Sequence, residues 1–487
     1  MRVVTTTADA LHERGRRLDG SYHASDGVKA ERFIRRWAGV LRAPGAAAGS
    51  VGERATGYSS RRLDRLDEVC KQGGVFIPGR FKRVYVDDPA HGERWLSPSD
   101  MLKADLSDLR LVSRKYTPSI ETLRVHKGWI LLSRSGTIGN MAYVREDMDG
   151  LVGSDDIIRI VPDTQRILPG YLYAYLNSSL AQSLIEQKTY GAVVPHIEAH
   201  HVMDLPIPRL DPAVEQRIHE LIERAAALRV EAKQGLECAQ TRFLREVLNI
   251  SPGSWEWQCT NEHAYAVGIA RFYNKYHRLD GFHYVGYVGE AEKALRGTEL
   301  LGELIDPYQP PIFKRPYTDD TGIPFLSGMD LYNAYPKPRL YISRKMKNLD
   351  RYIVAAGTIL VQNVGQRYGL FGRPTILPKH LDQCSVTQHL MRVYPKDPQD
   401  RGFVYLWLST EFGRRLLLKQ SFGTSMGVLF EDSFRNMPVP ACPASLRHSF
   451  ESEVQRMCEQ RETANDLEDQ AQAAVGEALN YAEYWGG

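Results

Sequence analysis

The hydrophobic positions follow two patterns, short apolar runs bounded by Gly or Pro and longer segments with helical spacing. The runs at 129–133 ("WILLS") and 156–161 ("DIIRIV") predict strands. The segment 169–188 ("PGYLYAYLNSSLAQSLIEQK") has apolar residues every three or four positions, which predicts one helix. A Pro-x-Pro at 206–208, and again at 438–440, predicts an extended end to each globular part, because proline cannot continue a helix.

A much longer helical pattern follows each Pro-x-Pro. In the first, from 211 to about 249, charged residues alternate with a repeating stripe of Ile218, Leu221, Ala225, Leu228, Ala232, Leu236, Ala239 and Phe243. The second has the stripe Phe450, Val454, Met457, Arg461, Ala464, Leu467, Ala471, Ala474 and Ala478. This spacing is typical of helices that pair in a coiled coil. We expect the two helices to pair with each other, antiparallel, as a spacer between two lobes.

The chain also repeats itself. Seven blocks recur in the same order, among them "FKRVYVDD" (81–88) as "FKRPYTDD" (313–320), and most of them recur at offsets of 229 to 232 residues. The opening "RLDG" block (17–20 and 278–281) recurs at 261, because the first copy carries 29 extra residues. These residues include a Gly/Ala/Ser-rich stretch at 42–60, which predicts a surface loop. The sequence therefore predicts a tandem duplication of an α+β (α/β-class) lobe.

Composition changes this picture little. The 487 residues are too many for one core, and a net charge of +3 with a pI near 8.4 is compatible with nucleic-acid binding without requiring it. Six cysteines without metal-ligand spacing predict a reducing compartment, no disulfide framework and no structural zinc. No signal peptide or apolar run of about 18 residues is evident, so we expect a cytoplasmic protein.

Two variable lobes, each ending in Pro-x-Pro and a long helix, resemble the specificity (S) subunit of type I restriction–modification systems. The resemblance rests on the "RLDG" openings, "GWILLSRSGTIG" (128–139), "GYLYAYLNS" (170–178), and "GAVVPHIEAHHVMDLPIP" (191–208) with the helix that follows it. It implies a first target-recognition domain at 1–209, a spacer helix at 210–250, a second target-recognition domain at 251–442 and a spacer helix at 443–487.

The resemblance also implies a function. Each lobe would recognise one half of a bipartite, asymmetric sequence in double-stranded DNA. The paired helices would set the gap and dock two adenine methyltransferase subunits, which recruit restriction and translocase subunits. S-adenosylmethionine, Mg²⁺ and ATP would be bound only by those partners, and the chain itself would carry no active site and no metal.

We expect the DNA contacts where the two copies differ. The loop after the "WILLS" strand and the segment after the following helix diverge in polar chemistry, which suits base recognition. The candidates for base contacts are Ser133, Arg134, Ser135, Thr137, Tyr190, His196, Gln362, Asn363, Gln366, Arg367, Thr424 and Ser425. Basic residues in the shared framework suit phosphate contacts, and these candidates are Lys82, Arg83, Arg114, Lys115, Lys314, Arg315, Arg344 and Lys345.

Several catalytic patterns compete with this hypothesis. "PD" at 162–163 with "EQK" at 186–188 matches a loose nuclease pattern, but its second half lies in a predicted helix and the other copy lacks the acid. "DPYQPP" at 306–311 has the wrong order for an adenine methyltransferase loop. His196, His200 and His201 have no counterparts in the second copy, which argues against a shared metal site.

Two alternatives of other classes remain open at this point. One is an enzyme with an unrecognised active site. The other is a DNA-binding or scaffolding adaptor of another phage-defence complex without a nuclease partner.

Overall fold

The computed structural model describes residues 25–39, 62–135, 138–189, 196–251, 298–366, 369–423 and 426–480, together with residues 283 and 295. The chain divides into two compact units: residues 1–230 with 463–487, here called the first lobe, and residues 231–462, the second lobe. Both boundaries fall inside long helices. The division at the helix ends, with domains 1–209, 210–250, 251–442 and 443–487, stays a prediction.

The first lobe alternates short strands and helices before its part of the long helices. Its elements in chain order are α1 (Asp26–Trp37), β1 (Arg62–Arg65), α2 (Leu66–Val69), β2 (Cys70–Phe76), β3 (Tyr85–Val86), β4 (Gly92–Leu96), β5 (Leu111–Ser113), α3 (Ile120–Leu123), β6 (Ile130–Ser133), β7 (Met141–Tyr143), β8 (Val152–Gly153), β9 (Ile157–Pro162), α4 (Pro169–Leu176), α5 (Ser179–Gln187), α6 (Ala199–Val202), β10 (Pro206–Arg209) and the start of α7 (Pro212–Glu246).

Two four-stranded sheets organise the first lobe. The larger is antiparallel with the order β2-β9-β6-β7, and the smaller has the order β3-β5-β4-β8. The apolar strands predicted at 129–133 and 156–161 are β6 and β9, which pair with Leu131 opposite Arg159. Apolar side chains of the larger sheet and of α4 and α5, such as Ile130 and Tyr171, are fully buried in one core. The Pro-x-Pro segment is extended as predicted, because β10 pairs with β1.

The second lobe has a similar succession of elements, with three additional short strands. In chain order they are β11 (Thr298–Leu300), β12 (Ile305–Tyr308), β13 (Tyr317–Thr318), β14 (Ile323–Leu326), α8 (Gly328–Leu331), β15 (Leu340–Ile342), β16 (Ile353–Val354), β17 (Ile359–Gln362), β18 (Val364–Gly365), β19 (Pro374–Ile376), β20 (Cys384–Val386), β21 (Leu390–Pro395), α9 (Arg401–Ser409), α10 (Glu411–Lys419), β22 (Gly427–Val428), α11 (Glu431–Arg435), β23 (Pro438–Pro440), α12 (Ala444–Ser449) and α13 (Glu451–Leu479).

The sheets of the second lobe correspond to those of the first. The antiparallel sheet β12-β21-β17-β19 matches β2-β9-β6-β7, and its central pair places Leu360 opposite Arg392. In the smaller sheets, β14 pairs in parallel with β20, as β4 does with β8. The second Pro-x-Pro is β23, which pairs with β11. The predicted class of mixed helix and strand is thus confirmed. The four-stranded antiparallel sheets of the two lobes share one strand order, and the smaller sheet of the second lobe has an additional fifth strand, β16.

The prediction of a single helix at 169–188 is wrong. The chain forms α4 and α5 instead, separated at Asn177 and Ser178. Ser178 has extended backbone angles, and its hydroxyl accepts a hydrogen bond from Ala181 N at 3.4 Å, so it begins a new helix. Thr410 does the same between α9 and α10, where its hydroxyl accepts from Gly413 N at 3.1 Å. Apolar spacing alone could not reveal the break, because the spacing continues across it.

The helix α7 is slightly shorter than the predicted segment 210–250, and residues 481–487 of the predicted segment 443–487 lie outside the described residues. The second segment consists of the short helix α12 followed by α13. Within the second lobe, the Arg242 guanidinium contacts Glu453 at 2.5 Å, and Gln460 contacts Glu231 at 3.3 Å. Positions that rise along α7 meet positions that fall along α13, so the helices are antiparallel there, as expected.

The predicted stripe of the C-terminal helix needs one correction. Arg461, Leu467, Ala474 and Ala478 are half-buried, whereas the fully buried positions of its second half are Ala464, Ala471, Val475 and Leu479. Glu468 lies among these positions and is also buried. A carboxylate is not counted as apolar when hydrophobic periodicity is identified in a sequence. The predicted stripe therefore included Leu467 and its neighbours instead of Glu468.

Some sequence predictions fall outside the described residues. These are the loop at 42–60, the "RLDG" blocks apart from His283, and Cys259. Cys70, Cys238, Cys384, Cys442 and Cys458 are free. Within the described ranges, no helix is both long and apolar enough to cross a membrane.

Candidate nucleic-acid interface

The two divergent segments predicted separately in each copy lie side by side. In the first lobe, Ser135 pairs antiparallel with His196, and Ile197 N donates to Arg134 O at 3.1 Å. In the second lobe, β18 pairs antiparallel with β22. We call these segments the paired-loop edge; its described residues are 133–135 and 138 with 196–198 in the first lobe, and 362–366 with 422–423 and 426–430 in the second.

Hydrogen bonds align the two edges residue by residue. Leu429 N donates to Asn363 O at 2.8 Å, which is the counterpart of the bond from Ile197 to Arg134. The Asn363 side chain donates in addition to Leu429 O at 3.1 Å. Arg134 therefore corresponds to Asn363, and the residues that follow Ile197 and Leu429 correspond as well. The two lobes build the same backbone contact with different side chains.

Burial divides the candidates for base contacts. Ser133 and Asn363 are fully buried, and Arg134 is 7% exposed, so these three side chains hold the loop in place and are not available at the surface. Ser135, His196 and Gln362 are half-buried, and Gln366 is exposed. Thr137, Tyr190, Arg367, Thr424 and Ser425 lie outside the described residues.

In the first lobe, a chain of charges links the repeated "FKR" phrase to the edge. The Arg83 guanidinium contacts Asp155 at 2.5 Å and Asp156 at 3.0 Å. Asp156 lies 3.7 Å from Arg134, which also forms an ion pair with Glu198. Burial lowers the pKa of Arg83, but the hydrogen bonds that it donates to both aspartates outweigh this effect and raise the pKa above the usual value. Arg83 is thus a structural cation in this lobe, only 32% exposed.

The second lobe keeps the arginine and replaces its charged partners. Arg315 donates to the Gln388 side chain at 2.9 Å, and Gln388 contacts His389 at 3.1 Å. The matching parallel strand pairs place Gln388 where the first lobe has Asp155, and His389 where it has Asp156. The edge of the first lobe is therefore held by carboxylates, whereas that of the second is held by neutral groups.

The edges also differ at their last position. Glu198, which pairs with Arg134, corresponds to Phe430, which is 49% exposed and lies 5.9 Å from Phe422 between ring centroids. Phe422 and Phe430 line a small cavity of about 190 Å³ with Gln420, Asp432 and Ser433. One lobe thus presents a carboxylate where the other presents an aromatic ring.

A buried arginine occupies the same sheet position in each lobe, and the sequence analysis missed both. Arg159 and Arg392 have no exposed surface and occupy the same place on β9 and β21. Arg159 donates to the carbonyls of Gly153 and Ser154 at 2.8 and 2.6 Å, which fixes the turn that carries the two aspartates. Burial lowers the pKa of Arg159 to about 10. The available signal was one arginine repeated inside two apolar runs, "DIIRIV" and "HLMRVY".

The phosphate candidates fall into two groups. Lys82, Lys115, Lys314 and Lys345 are exposed. The arginines are already engaged: Arg83 and Arg315 as described, Arg114 with Glu93 at 2.8 Å, and Arg344 with the carbonyls of Thr321 and Gly322 at 3.0 and 3.3 Å. The exposed lysines are therefore the better candidates for phosphate contacts.

The second lobe carries further surface cations that the sequence analysis missed. Lys337, Arg339 and Lys347 are exposed around β15, in a stretch from 336 to 347 without an acidic residue. Lys337 lies 3.9 Å from the centre of the Tyr335 ring. A run of like charges on one stretch of surface favours contact with a nucleic-acid backbone. The signal was visible in the sequence as "KPRLYISRKMK".

The catalytic patterns do not assemble into sites. Lys188 caps the end of α5 and binds Asp204 at 2.8 Å, while Asp163 pairs with Arg166 at 3.3 Å. Among the described residues, the group close enough to share a cation is Asp397, Asp400 and His448, and not the predicted histidines. Arg447 already donates to Asp400 at 2.8 Å, which explains that cluster structurally.

Comparisons with known proteins agree with the motif resemblance. Residues 66–231 match the family model described as "Type I restriction modification DNA specificity domain". A stretch of 126 residues is 26% identical to the "Type I restriction enzyme EcoBI specificity subunit" of Escherichia coli, and the match covers 26% of this chain and 26% of that relative's length.

Two solved structures are also similar over most of the chain. The HsdS subunit from Thermoanaerobacter tengcongensis is 17% identical, with 86% of this chain and 96% of that chain covered and a TM-score of 0.27. The S subunit of a type I restriction–modification system from M. genitalium is 10% identical, with 87% and 98% covered and a TM-score of 0.30. Scores this low leave the fold to be judged from the elements described above. The predicted resemblance to the specificity subunits of type I restriction–modification systems is confirmed by the family-model match over residues 66–231.

Proposed function

We propose that this chain is a non-catalytic recognition subunit that binds a bipartite, asymmetric sequence in double-stranded DNA, with each lobe recognising one half. The observation that carries the proposal is the paired-loop edge. Both lobes form it with the same backbone contact, yet the side chains differ at every aligned position discussed above. A shared frame with different side chains is what two different half-sites require.

The two kinds of contact are divided between surfaces. Exposed lysines of the framework neutralise phosphates, which positions the lobe on DNA without selecting a sequence. Base contacts come from the divergent segments, through residues that we propose are Ser135, Thr137, Tyr190 and His196 in the first copy and Gln362, Gln366, Arg367, Thr424 and Ser425 in the second. Ser133, Arg134 and Asn363 shape the loops from the interior.

The long helices have a separate role. As a spacer, α7 and α13 fix the gap between the half-sites and dock two methyltransferase subunits, which join restriction and translocase subunits. Partner docking is supported by the similarity to the Escherichia coli protein, which is the specificity subunit of a type I restriction enzyme. S-adenosylmethionine, Mg²⁺ and ATP belong to the partners in this scheme.

A selection from random duplexes tests the proposal. The purified full-length chain, alone and with its methyltransferase partners, is incubated with a duplex library at about 150 mM salt, because non-specific binding is weaker there. We expect the bound fraction to contain one asymmetric motif in two parts with a constant gap. Equal binding of all sequences would instead favour an adaptor that does not recognise sequence, and DNA cleavage or methylation by the chain alone would establish an enzyme.

A further inference from the structure

A buried ion pair joins the two long helices within the first lobe. Arg229 of α7 and Glu468 of α13 have side chains only 8% and 7% exposed, and the Arg229 Nη1 donates to the Glu468 carboxylate. The Nη2 of the same guanidinium donates to the Asn465 side chain at 3.0 Å. Asn465 is 4% exposed. A charge pair held this deep between helices depends on both partners being present.

Glu468 lies at a position of α13 whose counterpart on α7 is an apolar residue. It lies between Ala464 and Ala471, which are fully buried. The Pro-x-Pro blocks set an offset of 232 residues between the helices, so the counterpart of Glu468 on α7 is Leu236. Leu236 lies between the buried Ala232 and Ala239 in the same way. The two helices therefore share a seam of small residues and differ at this point.

The same interaction cannot form in the second lobe. The counterparts of Arg229, Asn465 and Glu468 are Arg461, Lys233 and Leu236. Neither a lysine nor a leucine side chain can accept a hydrogen bond from a guanidinium. The buried ion pair therefore distinguishes one half of the helix pair from the other, although the chain was built by duplication.

We propose that Arg229, Glu468 and Asn465 form a pairing lock that favours pairing of the central helix with a C-terminal helix over pairing of two central helices, in one register. Duplicated helices with the same seam could otherwise pair between two copies of the protein. If two central helices paired in the same geometry, each Arg229 would meet Lys233 and Leu236 of the other copy. That arrangement buries an uncompensated charge and is strongly disfavoured.

The lock also selects the register. A slide of α13 by one heptad would place Arg229 against Arg461 or Val475 instead of Glu468. One position leaves two like charges together, and the other leaves the guanidinium without a carboxylate, with Gln472 at the place of Asn465. A single polar position in a coiled-coil seam is known to set register and partner choice in this way. The inference does not depend on the proposed DNA binding.

Exchange of helices between chains tests the lock. Full-length chains carrying Arg229→Glu and Glu468→Arg, each with a different affinity tag, are produced separately and together. Alone, each places two like charges in the seam, and a second identical copy would not relieve the clash. Together, helix α7 of the Arg229→Glu chain can pair with helix α13 of the Glu468→Arg chain, and the unchanged Arg229 and Glu468 can pair as well. We therefore expect the two tags to co-purify at least tenfold above the wild-type background, as a particle of twice the chain mass.

Two controls make the result decisive. The same design at the half-exposed pair Arg242 and Glu453 (31% and 29% exposed) should give no co-purification, because solvent relieves an unpaired charge there. Combining both changes in one chain, Arg229→Glu with Glu468→Arg, should restore the melting temperature and the single-chain mass. Co-expressed Arg229→Glu and Glu468→Arg chains that stay separate, or a double variant in one chain that exchanges freely with wild type, would overturn the proposal.

Discussion

Ser135 in the loop after β6 pairs antiparallel with His196, six residues before the short helix α6 ends. This contact joins two segments that lie about sixty residues apart in the sequence. The second lobe repeats it with β18 and β22. Variation in either segment therefore changes one common surface in each lobe, and the following predictions depend on that arrangement.

Asp155→Asn should weaken the edge of the first lobe selectively. The Asp155 carboxylate accepts two hydrogen bonds from Arg83, at 3.2 Å from Nε and 2.5 Å from Nη2. We expect a loss of about 1–3 kcal/mol in the free energy of unfolding, because the amide makes weaker bonds to the guanidinium. Selection from random duplexes should show relaxed preference at the first half-site only.

Gln388→Ala is the matched control for that variant. It removes the corresponding acceptor of Arg315 in the second lobe. Its effect should appear at the second half-site and leave the first unchanged. If both variants relaxed the same half-site, or neither relaxed any, the assignment of one edge to each half-site would be wrong.

Arg159→Met should cost more stability than Arg392→Met. Arg159 donates four hydrogen bonds to backbone carbonyls, at 2.6 to 3.1 Å. Arg392 donates through Nη2 to Tyr352 O at 3.3 Å, and its Nε and Nη1 have no hydrogen-bond partner among the described residues. We expect urea denaturation to show a loss of about 3 kcal/mol for Arg159→Met, since buried carbonyls lose their donors. A smaller loss than for Arg392→Met would contradict this interpretation.

His389 predicts a pH dependence of stability in the second lobe. Burial, followed by the nearby charge of Arg315, lowers the pKa of His389 below its usual value. The unfolded chain therefore binds this proton more readily, so stability is complete above about pH 6.5 and falls as the solution becomes more acidic. His389→Asn should reduce the slope of the unfolding free energy between about pH 7 and 5. An unchanged slope would show that His389 does not contribute.

Removing one heptad from each of α7 and α13 should shorten the DNA gap. Seven residues span about 10.5 Å of helix, which corresponds to about three base pairs at ~3.4 Å each. Because the lobes are untouched, both half-sites should keep their sequences. Selection from random duplexes gives the gap directly, and an unchanged gap would contradict the role of the helices as a spacer.

Sequence reasoning located more of the fold than of the site. The repeat, the strands β6 and β9 and the long helices follow from apolar spacing, which burial enforces directly. The break between α4 and α5 at Ser178 was not predicted, because a capping hydroxyl acts locally and does not change the apolar pattern. The burial of Glu468 was not predicted, because a carboxylate in a sequence indicates an exposed position unless its ion-pair partner, here Arg229, is known.

The candidate site shows the same limit. Divergence between the copies indicated the correct loops, but it could not separate Ser135 from the buried Ser133 two residues earlier. The identity of a side chain does not reveal its burial at the end of a strand. Nor could spacing predict that Arg83 is held by Asp155, 72 residues away in the sequence. Tertiary contacts alone supply that information.

An exchange of edges tests the central claim most directly. Residues 133–138 and 190–198 of the full-length chain are replaced by 362–367 and 422–430, so both lobes carry the edge of the second lobe. Selection from random duplexes should then yield the second half-site on both sides of an unchanged gap, in place of the asymmetric target. A chain that folds and still selects the original first half-site would contradict the claim that the paired-loop edge recognises DNA sequence.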